Sequence, residues 1–192
     1  MAALARPRFL WPAAILFLAA GMAGVLLAMG REPICACGTV RLWHGAVNSP
    51  ENSQHLADWY SPSHLIHGLL FYAALRAVLP RAPLGARALI ASLVEAAWEV
   101  AENTDAVIRR YREATMALGY TGDSVVNSVA DLGWMLAGFW LASRLPAWAS
   151  VVLGVVLELV ALAVIRDNLA LNVIMLLWPV PAIRDWQAGL GG

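Results

Sequence analysis

From residue 10 to residue 29 the chain carries no charged side chain. A helix needs roughly 20 apolar residues to cross a hydrocarbon core of about 30 Å, because every backbone polar group must be bonded internally there. Residues 62–79, 84–103, 123–145, 147–165 and 169–186 read as further candidates. In the last, Pro179 and Pro181 remove backbone donors and shorten the apolar run. The expected fold is all-α: a polytopic integral membrane helix bundle of five or six transmembrane helices, six favoured. Composition agrees, with 60% hydrophobic and 14% charged residues and a mean hydropathy of +0.66, far from a soluble domain. No long linker, internal repeat or low-complexity tract divides the chain, so residues 1–192 read as one membrane domain. Residues 30–61 are expected as an extramembrane loop and residues 104–122 as an Arg-rich loop.

All 13 basic residues are arginine, and the formal net charge of zero gives no case for nucleic-acid binding. Arg6 and Arg8 precede the first span, and Ala28-Met29-Gly30 is a small-x-small sequence of the kind a signal peptidase cuts. The apolar stretch exceeds a usual signal sequence, which favours an uncleaved anchor. With the N-terminus inside, Arg6, Arg8, Arg76, Arg81, Arg87, Arg144 and Arg184 are cytoplasmic, against Arg31, Arg41, Arg109, Arg110, Arg112 and Arg166 outside. That near balance decides little by the positive-inside rule. The arginines flanking the first span lean towards the N-terminus inside. The expected location is the bacterial inner membrane, with membrane lipids as partners and any protein partner or homo-oligomer left open. No small-xxx-small face stands out from the Ala/Gly-rich background of spans one and three.

Ionisable residues inside these spans fall at helical spacing. Glu95, Glu99 and Glu102 are at i, i+4, i+7, while Asp123, Asn127 and Asp131 are at i, i+4, i+8, so each set lines one helix face. His64 and His67 are three apart at the start of span two. Such groups cost several kcal/mol each in a bilayer and mark functional sites by default. Because successive spans alternate in direction, nearly all of these residues share one membrane face. So do Cys35, Cys37, His44, Glu51, His55 and Asp58 of the first loop, and Asp167, Asn168 and Asn172 of the last turn. Glu95, Asp131 and Glu158 lie on the order of 10–15 Å deeper. The pattern predicts a polar cavity open to one face, with the periplasmic face favoured.

Three readings of that cavity stay open. As a metal site, His64, His67, Glu99 and Glu102 supply imidazole and carboxylate ligands for a divalent ion. The Glu-x-x-His pattern of bundle di-metal proteins is absent. As a headgroup site, Arg109, Arg110 and Arg112 hold a lipid phosphate, with Asn127 beside them and with or without a bridging divalent ion. In either case Glu95, Glu99, Asp123 and Asp131 are the candidate catalytic ligands or acid/base groups, and the histidines act as ligands or proton shuttles. The bland alternative is a non-enzymatic subunit or assembly factor, its carboxylates a buried network and its arginines paired with Asp105 and Glu113. Transport along the carboxylate ladder ranks low, because the far side lacks polar residues to complete a path; Glu158 is the one residue that bears on it. Trp98 and Trp134 read as packing rather than substrate stacking.

Cys35-Ala36-Cys37 is ambiguous. A disulfide across one residue is strained, pairing in trans or two free thiols are equal alternatives, and soft-metal binding with His44 and His55 is a further one. Asn48-Ser49-Pro50-Glu51-Asn52 reads as turns returning the chain to the membrane, where Trp59 and Tyr60 anchor.

The run from Cys35-Ala36-Cys37-Gly38, through Asp58-Trp59-Tyr60-Ser61-Pro62-Ser63-His64, to Gly122-Asp123-Ser124-Val125-Val126-Asn127-Ser128 resembles a family of small bacterial inner-membrane proteins of unknown function. That resemblance implies a multi-pass membrane protein and no activity. A fainter likeness, over about 75 residues, is to the VanZ-like membrane proteins. It rests on His67-Gly68-Leu69-Leu70-Phe71, Glu95 and Asp123-Ser124-Val125-Val126-Asn127. No Asp-Lys precedes the histidine, Trp98 and Glu99 stand near an expected Gln, and the Arg-to-Asp spacing is longer. The likeness implies an envelope role on a lipid-linked substrate, carried by His67, Glu95, Asp123 and Asn127.

Overall fold

The computed structural model describes residues 10–47, 49–115 and 119–189. Arg6, Arg8 and Asn48 therefore lie outside the described residues. Those residues fold into helices without a strand: α1 (Leu10–Ala28), α2 (Ser61–Val78), α3 (Leu84–Glu102), α4 (Asp105–Ala114), α5 (Val125–Arg144), α6 (Ala147–Ile165), α7 (Leu169–Leu177) and α8 (Pro181–Ala188). Three of them, α1, α5 and α6, are long and apolar enough to cross a membrane. That is fewer than the five or six expected. The embedded His, Glu and Arg residues dilute the hydropathy of α2 and α3, although both run 18–19 residues.

Two expected segments differ. Residues 169–186 do not form one helix. Pro179 and Pro181 follow the end of α7, and the chain then turns back, so that Gln187 Nε2 donates to Arg166 O at 3.0 Å and Arg166 donates to Trp186 O at 2.7 Å. A segment whose two ends touch does not traverse a bilayer. Residues 104–122, expected as a loop, contain α4, which starts because Thr104 caps its first turn.

The packing is inverted relative to a soluble protein. Leu16, Phe17, Val151 and Leu159 on α1 and α6 are exposed, while buried polar and charged residues are as numerous as buried apolar ones. α2 packs most extensively on α5, and α1 on α3. The first contact is made backbone to backbone at two glycines. A Cβ on Gly68 would sit 2.0 Å from Met135 O, and one on Gly138 would sit 2.0 Å from Leu65 O. Small residues permit this approach in lipid, where helices associate by van der Waals contact rather than by the hydrophobic effect. Met22, Leu26, Ala91, Ala96, Leu132, Met135 and Phe139 fill the apolar core between α1, α3 and α5.

The long loop before α2 is bound to the start of α5. Val125 N donates to Glu32 O at 2.8 Å, Ser124 N to Ser53 O at 3.0 Å and Asn127 Nδ2 to His55 O at 2.8 Å. The first of these, with Val126 N to Pro33 O at 3.2 Å, satisfies backbone donors that a helix N-terminus otherwise leaves orphaned. Gly122, at φ +98°, is needed here: its carbonyl accepts from Gln54 Nε2 at 2.9 Å, and a side chain would press on Arg31 and Asn103. Within the loop, Cys35 and Cys37 are joined to each other in a disulfide.

Candidate functional site

The close crossing of α2 and α5 places His64 and His67 against the carboxylates of α3 and α5. His64 Nδ1 lies 2.7 Å from Glu95 Oε1 and 3.5 Å from Glu99 Oε1. His64 Nε2 lies 3.7 Å from Asp131 Oδ2. His67 Nδ1 lies 3.0 Å from Glu95 Oε2, and its ring stacks on Phe71. Glu95 and Glu99 are fully buried, and Glu102, Asp123 and Asp131 nearly so. The i, i+4, i+7 spacing thus does converge its carboxylates on one interior face.

Three overlapping groups have ligand atoms within 4.8 Å of one another: His64, His67 and Glu95; His64, Glu99 and Asp131; Glu99, Glu102 and Asp123. A cavity of about 660 Å³ opens over them, lined by His64, His67, Glu95, Glu102, Asp123 and Asp131 among others. No arginine is among its described lining residues. One flank is apolar, with Phe71, Val94 and Trp98, and Val94 is half exposed on the outer surface of α3. Trp98, expected as packing, is therefore part of the cavity wall. Trp134 instead donates to Leu56 O at 2.9 Å and holds the loop.

The arginines lie elsewhere. Arg110 donates to Leu176 O at 2.8 Å and so caps the last carbonyls of α7. Arg109 and Arg112 line a separate concavity of about 330 Å³ with Arg31 and Asp105. Arg112 also bonds Tyr120 O, and the Arg31–Asp105 pair is 3.4 Å long. Asn127, tied to the loop carbonyl of His55, is not among the cavity's lining residues. Of the four residues that carry the VanZ likeness, His67 and Glu95 touch, and Asp123 lines the same cavity.

Several participants escaped sequence reasoning. Asp123 is oriented by Tyr120 Oη at 2.7 Å and by Asn103 Nδ2 at 2.9 Å. Tyr111 Oη donates to Asn172 Oδ1 at 3.1 Å. Burial holds the Tyr60, Tyr111 and Tyr120 hydroxyls well above the ordinary phenol range, with nearby carboxylates adding to the effect. They remain donors at physiological pH. Asp167, which the sequence placed on the polar face and whose carboxyl burial pushes up to about 6, also lines the cavity. Tyr60, Tyr111 and Tyr120, of which Tyr111 is buried and the other two partly so, carry no periodic signal, and only the fold brings them to the cavity.

In the first loop, Glu51 accepts from His55 Nε2 at 3.1 Å and pairs with Arg41 at 3.0 Å. The His55 hydrogen bond and the positive charge of Arg41 hold its carboxyl below the usual range. Glu158, the residue that bore on transport, accepts from Leu169 N at 2.9 Å and Ala170 N at 3.1 Å, so it caps α7.

The family described as "Protein of unknown function (DUF2585)" matches residues 26–189. The chain belongs to this family. Among its relatives, a UPF0314 protein of Paracoccus denitrificans is 61% identical over 165 residues, covering 86% of each chain. One of Sphingopyxis alaskensis is 55% identical over 172 residues, covering 90% of this chain and 92% of the relative. One of Rhizobium meliloti is 51% identical over 181 residues, covering 94% and 92%. No solved structure matches. The DUF2585 region begins inside α1 and takes in every residue of the cavity.

Proposed function

We propose that this DUF2585 protein is a multi-pass protein of the bacterial inner membrane whose one-sided cavity binds a divalent cation and, beside it, the polar or phosphorylated headgroup of a lipid. In this reading α1, α2, α3, α5 and α6 span the bilayer, while α7 and α8 return to the face they leave, taken as periplasmic. One observation carries the proposal: Glu95, Glu102, Asp123 and Asp131 line the cavity with His64 and His67, Glu99 is clustered with them, and no arginine is among the described lining residues. Buried carboxylates without arginine or lysine partners are neutralised by protons or cations, and nitrogen with oxygen donors suits Zn, Mn or Fe. The apolar flank at Phe71, Val94 and Trp98 supports a lipid ligand entering from the side. The concavity of Arg31, Arg109 and Arg112 supplies charge for a second contact to the headgroup.

Elemental analysis of chelator-free protein, with Glu99→Gln and His67→Ala purified alongside, tests the cation. Near-stoichiometric metal in the wild type and less in both variants is expected. Mass spectrometry of co-purified lipid, with and without Arg109/Arg110/Arg112→Ala, tests the headgroup, and identical nonspecific profiles count against it. A second reading, an assembly subunit, draws on the hydrogen-bonded network of Asp123, Asn103 and Tyr120. It predicts no metal, a co-purifying partner protein, and Glu95→Gln and Asp131→Asn that lower only yield and melting temperature.

A further inference from the structure

We infer that the carboxylate and imidazole cluster at the cavity holds two divalent cations, bridged by Glu99. The inference rests on the cation-binding reading above and goes beyond it in number and arrangement. The donor sets lie at two ends of one face of α3. His64, His67 and Glu95 form one end; Glu99, Glu102 and Asp123 form the other. Glu95 and Glu102 are two helical turns apart, about 10 Å along the axis, and they share no ligand group. One ion does not serve both.

Glu99 stands between the ends and belongs to two of the three groups. It is fully buried, yet neither of its carboxylate oxygens has a hydrogen bond of good geometry among the described residues. His64 Nδ1, at 3.5 Å, is its nearest ionic contact. Ser128 and Glu102 are its polar neighbours, and a buried carboxylate with neither oxygen in a well-formed hydrogen bond suits a bridge, with one oxygen to each ion. Asp131 repeats the pattern, with Oδ1 unpartnered and Oδ2 3.7 Å from His64 Nε2. That separation is too long for a hydrogen bond.

Charge balance points the same way. With neutral imidazoles, Glu95, Glu99, Glu102, Asp123 and Asp131 are five potential negative charges in a buried volume. One divalent ion requires three further protons for neutrality; two require only one. Excess buried charge is the costlier state. Paired ions about 3.5–4 Å apart are an established arrangement for inward-facing carboxylates in helix bundles.

The test uses Mn²⁺ as probe. Full-length protein in detergent is stripped with chelator, equilibrated with MnCl₂, desalted, and assayed by mass spectrometry for metal and by electron paramagnetic resonance for coupling. Two Mn per chain with an exchange-coupled signal are expected. One Mn per chain with an uncoupled six-line signal keeps the cation reading and overturns the pair. No Mn above a detergent blank overturns both. His67→Ala removes a ligand from one end only, so it is expected to retain one Mn and lose the coupling. Glu99→Gln is expected to abolish coupling and weaken both sites at least tenfold. Either variant binding two coupled Mn as tightly as wild type, while eluting monodisperse, overturns the assignment of that residue.

Discussion

Gly138→Ala adds one methyl group where α5 meets α2 backbone to backbone. The new Cβ falls 2.0 Å from Leu65 O and 2.9 Å from Leu65 C, against the 3.4 Å at which ordinary contact begins. Its neighbour is main chain in mid-helix, so no side chain can rotate away. The helices must separate by about 1.4 Å at this point, or one must shift along the other. Overpacking of a tight core costs about 1–3 kcal/mol, and a backbone clash belongs at the upper end. For a chain of this size that corresponds to a melting temperature lower by roughly 3–10 °C. The same displacement acts on chemistry, because Leu65 is adjacent to His64 in α2, and Asp131 lies two turns before Gly138 in α5. Widening the 3.7 Å His64–Asp131 gap loosens the ligand set that joins the two ends of the cavity. Gly138→Ala is therefore expected to lower both the melting temperature, followed in detergent by tryptophan fluorescence, and the Mn²⁺ affinity. Gly133→Ala, whose Cβ meets nothing within 4 Å, is the control and should leave both unchanged. If Gly138→Ala melts and binds like wild type, the close crossing does not position the site.

Asp167 makes a pH-dependent prediction. Burial raises its carboxyl to about 6 in the fold, from an ordinary value near 3.8, so the folded chain holds a proton that the unfolded chain releases. Its contribution to stability is most favourable below about 4 and falls as pH rises to about 6, by up to roughly 3 kcal/mol. Asp167→Asn removes that loss; its melting temperature should exceed wild type at pH 7.5 and converge with it near pH 4, and a constant difference would refute the titration. Glu158→Gln removes the charged cap from α7 and should cost about 1 kcal/mol, with faster amide exchange at Leu169 and Ala170 as the readout and Mn²⁺ content unchanged.

The periodicity of Glu95, Glu99 and Glu102, the pair His64 and His67, and the run from 10 to 29 were legible in the sequence because they are local. Helical spacing dictates which face a residue occupies whatever the helix packs against. Composition also agreed with the three helices that are long and apolar enough to cross a membrane. Tertiary structure decided the rest. Which faces meet depends on Gly68 and Gly138, and those glycines look like any others in an Ala/Gly-rich membrane sequence until two backbones are seen in contact. That crossing put His64 between Glu95 and Asp131. The three arginines of α4 share one short sequence but diverge in space, because a helix sends residues 109, 110 and 112 in different directions: Arg110 to the carbonyls of α7, the other two to a separate concavity. The prolines at 179 and 181 marked an interruption, and only the contacts of Arg166 with Trp186 and Gln187 turned that interruption into a return. Spacing along a chain is a local property; the meeting of two helices depends on everything packed around them.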